Sequence, residues 1–382
     1  MADKTLPELN RADLDWLTQA GQLLELIPGQ VLLEADQPVD QLLLVLDGEL
    51  ELELPALGTT PAELLGRLGR GDLTGALLPD SRPLAYRLLA VRTGRASVLA
   101  IPQASVLTRA QREPEFGARL FGSVALALAH QHSQFVAALS QQHRLPPLFV
   151  PKSIFSVFSS LQDTDICWML GAGSLQRLAV GTICVAEGKP LAALYITLKG
   201  SLTVWMNTET IAQNTAQSIG QNATLNIGHN PDQRPLLAAR AAPGTTIGTR
   251  LPETAAERAV SQILPGELVG LSQFLDLGPA HYTIRANPDA LVLTLPLAVL
   301  QSKLQQDSGF AARFYRAAAS LMAERTTQLL GALHYQDRCY ECGDSLCTDQ
   351  SYDDELALDE LQQTSLARAR FSWMLRQLNI KD

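Results

Sequence analysis

Charge is scarce in this chain and leans acidic. Only 18% of its 382 residues are Asp, Glu, Lys or Arg, and thirty Lys+Arg stand against thirty-nine Asp+Glu, a net charge of −9. A chain built to coat nucleic acid carries a basic stripe, and the totals show none. Cysteine is equally sparse. Five cysteines make no disulfide framework, so the expectation is a reduced, cytoplasmic protein. No run reaches 18 apolar residues, so no membrane span is expected. The longest apolar stretches, residues 291–300 and 121–129, suit a buried strand and a buried helix. The opening Met1-Ala2-Asp3-Lys4 lacks an apolar core and a cleavage signal, and nothing indicates export. A P-loop, HExxH, GxSxG or paired-carboxylate motif with a base is also missing, so no enzyme is expected. What is present is 46% apolar residues in a length that allows two or three domains.

The chain repeats itself. Leu9, Asp13, Trp16, Gly21, Gly29, Pro38 and Gly48 recur as Leu161, Asp165, Trp168, Gly173, Gly181, Pro190 and Gly200, every pair separated by 152 residues. Apolar positions keep the same offset, Val31 with Ile183 and Leu44 with Ile196 among them. The match resumes at an offset of 195 with Gly71, Leu73 and Gly75 against Gly266, Leu268 and Gly270. It continues at 194 with Phe116, Ala118 and Arg119 against Phe310, Ala312 and Arg313. The second copy therefore carries 43 extra residues between Met206 and Leu264. Self-similarity of this kind means a duplicated unit.

Each copy opens with a short helix that stops early at a glycine, Gly21 or Gly173. Strands follow. Residues 41–46 and 49–54 flank Asp47-Gly48 and read as a hairpin, repeated around Lys199-Gly200. Glu49, Glu51 and Glu53 alternate with Leu50, Leu52 and Leu54, one wet face and one buried face. Further strands are expected at 86–92, 96–101, 283–286 and 291–295. A long amphipathic helix closes each copy, at 116–142 with Phe116, Leu120, Val124, Leu128, Gln131, Phe135 and Leu139 on one face, and at 310–330. Leu145-Pro146-Pro147 and Pro151 mark a linker. The expected organisation is residues 1–142 as the first domain, 143–152 as linker, 153–330 as the second domain, and 331–382 as a cysteine-containing loop and C-terminal helix. A polar insert at about 207–262 interrupts the second domain, either a surface loop or a segment beside a ligand pocket that binds a partner.

A helix, an eight-stranded roll with glycines at its turns and a long closing helix resemble the cyclic nucleotide-binding domain. The resemblance rests on Gly29…Pro38…Asp47-Gly48…Gly71-Asp72-Leu73…Gly75 and on Gly181…Pro190…Gly200…Gly266-Glu267-Leu268…Gly270. The tail, Asp353-Asp354-Glu355-Leu356…Ala369-Arg370-Phe371-Ser372-Trp373-Met374-Leu375, is similar to that of the bacteriocin-type transport-associated proteins, which carry two such domains. The fold implied is mainly β with flanking α-helices: two β-rolls of the jelly-roll type plus a helical tail. The function implied is that of a non-enzymatic regulatory or scaffolding protein, with protein partners in a secretion or transport system. The two closing helices are expected to pair within one chain, the tail helix to dock on one roll and to mediate at most a weak homodimer.

The resemblance also implies a phosphate-binding cassette: Gly-Glu, about eight residues, then Arg-Ser/Thr-Ala. A short helix offers backbone N–H groups to the phosphate, the arginine pairs with it, and the glutamate takes a ribose hydroxyl. Here Gly75 and Gly270 survive, but Ala76 and Leu271 stand where glutamate should, and Leu84 and Ala280 where arginine should. The candidate ligand-binding residues are therefore a degenerate set: Gly75, Ala76, Leu77, Arg82 and Leu84 in the first copy, and Gly270, Leu271, Ser272, Ala280, His281 and Tyr282 in the second. Arg87 and Arg285 lie nearby but are expected to face solvent or another wall. His281 and Tyr282 read as a surface pair or as ligand contacts. The alternative function is a receptor for a cyclic nucleotide or another small ligand through a changed cassette.

In the tail, His334, Cys339, Cys342 and Cys347 have the spacing of a Cys₃His zinc site. There is no second CxxC, and free thiols in a loop are the preferred reading; a zinc- or redox-responsive module is the second alternative. Cys167 and Cys184 read as core. The tail offers one good helix at 356–378, with Ala367, Phe371, Met374, Leu375 and Leu378 on one face. A DNA-recognition helix needs another helix packed before it, and the acidic, turn-like 339–352 supplies none, so no nucleic-acid partner is expected.

Overall fold

The computed structural model describes residues 9–56, 61–78, 84–91, 93–141, 156–207, 257–276, 280, 282–337 and 358–380. The first copy runs α1 (Arg11–Ala20), β1 (Gln22–Leu26), β2 (Val31–Leu33), β3 (Gln41–Asp47), β4 (Leu50–Leu54), β5 (Glu63–Leu68), β6 (Leu73–Gly75), β7 (Arg87–Ala90), β8 (Ala96–Pro102), α2 (Gln103–Arg112) and α3 (Pro114–Gln141). The second begins with α4 (Ser156–Ser160) and α5 (Asp163–Ala172). Its strands are β9 (Ser174–Arg177), β10 (Ile183–Val185), β11 (Ala193–Lys199), β12 (Leu202–Asn207), β13 (Glu257–Ile263), β14 (Leu268–Val269), β15 (Thr283–Ala286) and β16 (Leu291–Pro296). Its helices α6 (Leu271–Asp276), α7 (Leu297–Gln306) and α8 (Ser308–Asp337) precede the tail helix α9 (Leu358–Gln377).

Each copy folds into two four-stranded antiparallel sheets. In the first the orders are β1-β8-β3-β6 and β2-β7-β4-β5; in the second, β14-β11-β16-β9 and β10-β15-β12-β13. This is the mainly-β class with flanking helices that the sequence implies. Alternation along the strands divides the core. Leu42 and Leu44 of β3 face the helices, while Leu43 and Val45 face the opposite sheet inside the roll. Glu257–Ile263 is a strand paired with β12, so the polar stretch read as ending near 262 gives way to structure several residues earlier. The hairpin glycine Gly48 sits at φ +74°, the left-handed region that only glycine enters freely.

Gly21 and Gly173 do not end their helices through a left-handed turn. Both are extended, with φ −98° and −90°. Glycine is needed there for close approach: a Cβ on Gly21 would lie 2.8 Å from the Leu99 side chain of β8, and one on Gly173 2.9 Å from Leu293 at the same place in β16. At the other end, Asn10 Oδ1 accepts from Asp13 N–H at 2.9 Å while Asn10 N–H donates back to Asp13 Oδ2 at 3.1 Å, a reciprocal cap.

The closing helices pack along each other. His132 Nδ1 lies 3.2 Å from Thr326 Oγ1, and a Cβ on Gly117 would lie 3.4 Å from Ala312 Cβ. Positions 132 and 326 are related by the repeat offset itself, so α3 and α8 run parallel with like positions opposed. One continuous core joins both copies, with Phe116, Leu194, Phe310 and Phe371 all in it. The tail helix closes this core. Phe371 packs edge-on against Phe158 at 5.5 Å between ring centres, and Arg370 bonds Asp163 Oδ1 at 2.8 Å and the Phe158 carbonyl at 3.0 Å. Among the described residues no helix is long and apolar enough to cross a membrane.

Candidate functional site

The cassette positions fold into the protein. In the first copy Gly75 takes φ +84° and ends β6 opposite Leu42. Ala76 N–H donates to the Gln41 carbonyl at 2.8 Å, and Gln103 Nε2 donates to the carbonyls of Ala76 and Leu78. Leu77 and Leu78 are buried in the helix-facing core, and Leu84 packs against the roll interior. The segment is tied down by a backbone bond to β3 and by the Gln103 amide, with Leu77 and Leu78 turned into the core. Arg82 lies outside the described residues.

In the second copy Gly270 has φ +88°, and Leu271 opens the short α6 fully buried. Ser272 Oγ lies 3.6 Å from Met322 Sδ. Phe274 packs edge-on against Phe314 at 5.8 Å. Ala280 is buried in the second roll, and its carbonyl accepts from Gly188 N–H at 2.8 Å. Tyr282 donates its hydroxyl to Gln273 Oε1 at 3.0 Å, so this half of the polar pair is bonded internally. His281 lies outside the described residues.

The nearby arginines face carboxylates of their own sheets, where the sequence predicted solvent or another wall. Arg87 of β7 pairs with Glu53 of β4, its Nε donating at 2.7 Å. Arg285 of β15 donates through one nitrogen to both oxygens of Glu257, at 3.0 and 2.7 Å, and lies over Trp205 at 5.3 Å. Strand register sets which residues correspond. Leu89 opposes Val31 as Arg285 opposes Ile183, which aligns Tyr86 with Tyr282 and Leu84 with Ala280.

The strongest ionic constellation, missed from sequence, is elsewhere. Asp13 is buried and accepts from Arg119 Nε at 2.6 Å and from another of its nitrogens at 3.1 Å, with Arg109 at 3.5 Å. Asp165 and Arg313 repeat the pair at 2.7 and 2.8 Å. The signal was available, since both members recur in the duplication, though at two different offsets. Arg109 also stacks 4.1 Å over Phe116 and 4.7 Å over Trp16. It lines an open groove of about 530 Å³ with Trp16, Ser105, Thr108 and Arg112. That groove is on the α2 surface, and its central cation is engaged by Asp13 and Glu113.

The zinc candidates fall largely outside the described residues: Cys339, Cys342 and Cys347 do, and His334 is placed only by its backbone in α8. Cys167 is exposed rather than core, because α5 turns that position outward while Ile166 and Met169 face in. Cys184 is partly buried, and burial pushes its thiol up to about 12, an inert thiol.

No protein-family model and no curated protein matches the chain. Solved structures resembling it include the regulatory domain of Toxoplasma gondii PKA crystallised with cAMP, at 13% identity over 80% of this chain and 88% of that one, TM-score 0.26. The regulatory subunit of a cAMP-independent protein kinase A from Trypanosoma brucei matches at 16% identity over 79% and 87%, TM-score 0.24. A cyclic nucleotide-binding domain from Methylobacillus flagellatus matches at 16% over 34% and 71%, TM-score 0.30. Likeness at this level carries no argument on ligand or partner, and the reading that follows rests on the chain's own residues.

Proposed function

We propose that the chain is a non-enzymatic regulatory or scaffolding protein of the cyclic nucleotide-binding-domain type. Its two rolls do not take up a cyclic nucleotide phosphate, and it acts through protein partners of a bacteriocin-type transport system. One observation carries the ligand half of this reading. The four anchor positions hold Ala76, Leu84, Leu271 and Ala280, of which all but Leu84 are buried, and Arg87 and Arg285 beside them already neutralise Glu53 and Glu257. Removing one partner of a buried charge pair weakens binding by about 2–5 kcal/mol, some 30- to several-thousand-fold. The transport half rests on the tail pattern alone. Calorimetry with cyclic AMP and cyclic GMP tests the first: no binding tighter than about 100 μM is expected, and a micromolar constant overturns it. Leu271→Glu together with Ala280→Arg is expected to gain affinity.

A further inference from the structure

The tail helix is a unit with its own stop. Ala367, Phe371, Met374 and Leu375 of α9 are buried, one face at i, i+4, i+7 and i+8. Arg368, Ala369, Arg376 and Gln377 are exposed. At the C-terminus Asn379 takes φ +55°. Its N–H donates to the Arg376 carbonyl at 3.1 Å, and Ile380 N–H donates to the Leu375 carbonyl at 2.9 Å. These are the two bonds of a left-handed helix stop, and both are made by the helix's own residues.

α9 packs on α4 and α5. Phe371 meets Phe158 edge-on. One nitrogen of Arg370 donates to the carbonyls of Phe158 and Ser159, at 3.0 and 3.3 Å. Both belong to the last turn of α4, a helix of five residues whose final carbonyls have no partner within it. α4 in turn packs on α8. Another Arg370 nitrogen reaches Asp163 at the start of α5. Asp163, Ile166 and Leu170 lie at i, i+3 and i+7, on one side of α5.

The repeat shows that this face is an addition. At the 152-residue offset Arg11, Leu14 and Thr18 of α1 stand in the places of Asp163, Ile166 and Leu170. Arg11 and Thr18 are exposed and Leu14 is half-buried, whereas Ile166 is buried and Leu170 half-buried. The first copy has no counterpart of α9 either, since the element after α3 is α4. One unit of the fold is thus built without a tail helix, and the other carries an apolar face sized for a helix, with an acid at its rim.

The ion pair at that rim holds little. The Asp163 side chain is 82% exposed, and exposed pairs contribute weakly, so the apolar contacts retain α9. A helix on the same chain meets its site at an effective concentration on the order of mM. The identical helix of a second copy makes the same contacts without that advantage and loses to α9 at ordinary protein concentrations. A helix that displaces α9 is therefore a different one, with the same spacing and a closer fit.

We propose that the α4–α5 face is a helix-docking site, held by α9 in the free protein and taken over by an amphipathic helix of a partner protein. That helix carries an aromatic side chain for Phe158 and, one residue before it, a cation for Asp163. This deepens the reading above, that the chain acts through protein partners, and rests on it.

The probe is a fluorescent peptide of residues 358–380, added to the full chain and followed by anisotropy. Two variants of the chain empty the site. Phe371→Ala weakens the docking of its own tail about 100-fold. Arg370→Glu sets like charges against Asp163 and removes no core side chain. The peptide is expected to bind the Phe371→Ala chain about 10-fold or more tighter than the wild type, and the Arg370→Glu chain about 5-fold tighter. Asp163→Arg, the charge found at Arg11, is expected to weaken the peptide about 5-fold when added to the Phe371→Ala chain. No binding to either emptied chain at about 100 μM overturns the site, as does equal binding to the wild type or binding indifferent to Asp163→Arg. A wild-type dimer in light scattering that Phe371→Ala abolishes gives the face to a second copy and also overturns the proposal. Failure of the peptide leaves the calorimetry with cyclic nucleotides unaffected, and a micromolar cyclic AMP constant leaves the peptide result unaffected.

Discussion

Asp13→Ala removes the carboxylate that locks the first helix to the closing helix. Asp13 is 1% exposed and gathers four donors: two from Arg119 at 2.6 and 3.1 Å, Arg109 at 3.5 Å and Asn10 N–H at 3.1 Å. Breaking a buried ion pair from one side costs about 3–5 kcal/mol, because the other charge is left uncompensated. Arg119 is 30% exposed and regains water on losing its partner, which places the cost near the lower end, about 3 kcal/mol. Loss of half the reciprocal cap adds up to about 1 kcal/mol. The assay is equilibrium urea denaturation of the full chain, with Asp15→Ala as an exposed control on the same helix, expected within about 0.5 kcal/mol of wild type. A cycle with Arg119→Ala is expected to show coupling above about 1 kcal/mol. The pH dependence has a defined sign. Burial pushes the Asp13 carboxyl up, but its bonds to Arg119 and Asn10 N–H and the two guanidinium charges outweigh it and hold the pKa below the usual range. Stability from this group is therefore complete above the unfolded value of about 3.9 and is lost as pH falls through the lower folded value. The alanine variant flattens that acid limb. An Asp13→Ala midpoint indistinguishable from that of Asp15→Ala would refute the reasoning.

Two buried groups near the helix pair oppose each other in pH. Burial pushes Glu267 up to about 7 from 4.5, so its contribution is full below 4.5 and is lost as pH rises through 7. Burial, with Arg325 nearby, pushes His132 down to about 4 from 6.5, so its contribution is full above 6.5 and is lost as pH falls through 4. Glu267→Gln is expected to leave the His132 slope unopposed, steepening the rise in stability between pH 4.5 and 7 by up to about 3 kcal/mol; urea midpoints across that range check it, and an unchanged profile counts against it. Phe371→Ala, losing the contact with Phe158, is expected to weaken docking of α9 by about 3 kcal/mol. Trypsin cleavage in that helix should then quicken about 100-fold, and an unchanged rate would mean the helix is held by other contacts.

The order of elements was legible because turns and faces are local. Gly48 marks a left-handed turn, the Leu50–Leu54 alternation marks a two-faced strand, and repetition of both at fixed offsets marks two copies. Legible too was what stands at the positions where the resemblance places charged anchors, Ala76, Leu84, Leu271 and Ala280, none of which carries a group that pairs with a phosphate. Three things needed the tertiary structure. Gly21 is required by Leu99, 78 residues away in sequence, and nothing local distinguishes that from a helix-stopping turn. Asp13 and Arg119 both recur, but only the packing of α1 against α3 brings them to 2.6 Å. Gly266-Glu267-Leu268 reads like Gly71-Asp72-Leu73, yet one carboxyl finds a backbone N–H and the other finds none. Local propensity and pattern act over a few residues and are written in the chain. Burial and the partner of a polar atom are set by which distant segments meet, and that is decided only when the two rolls close on their shared helices.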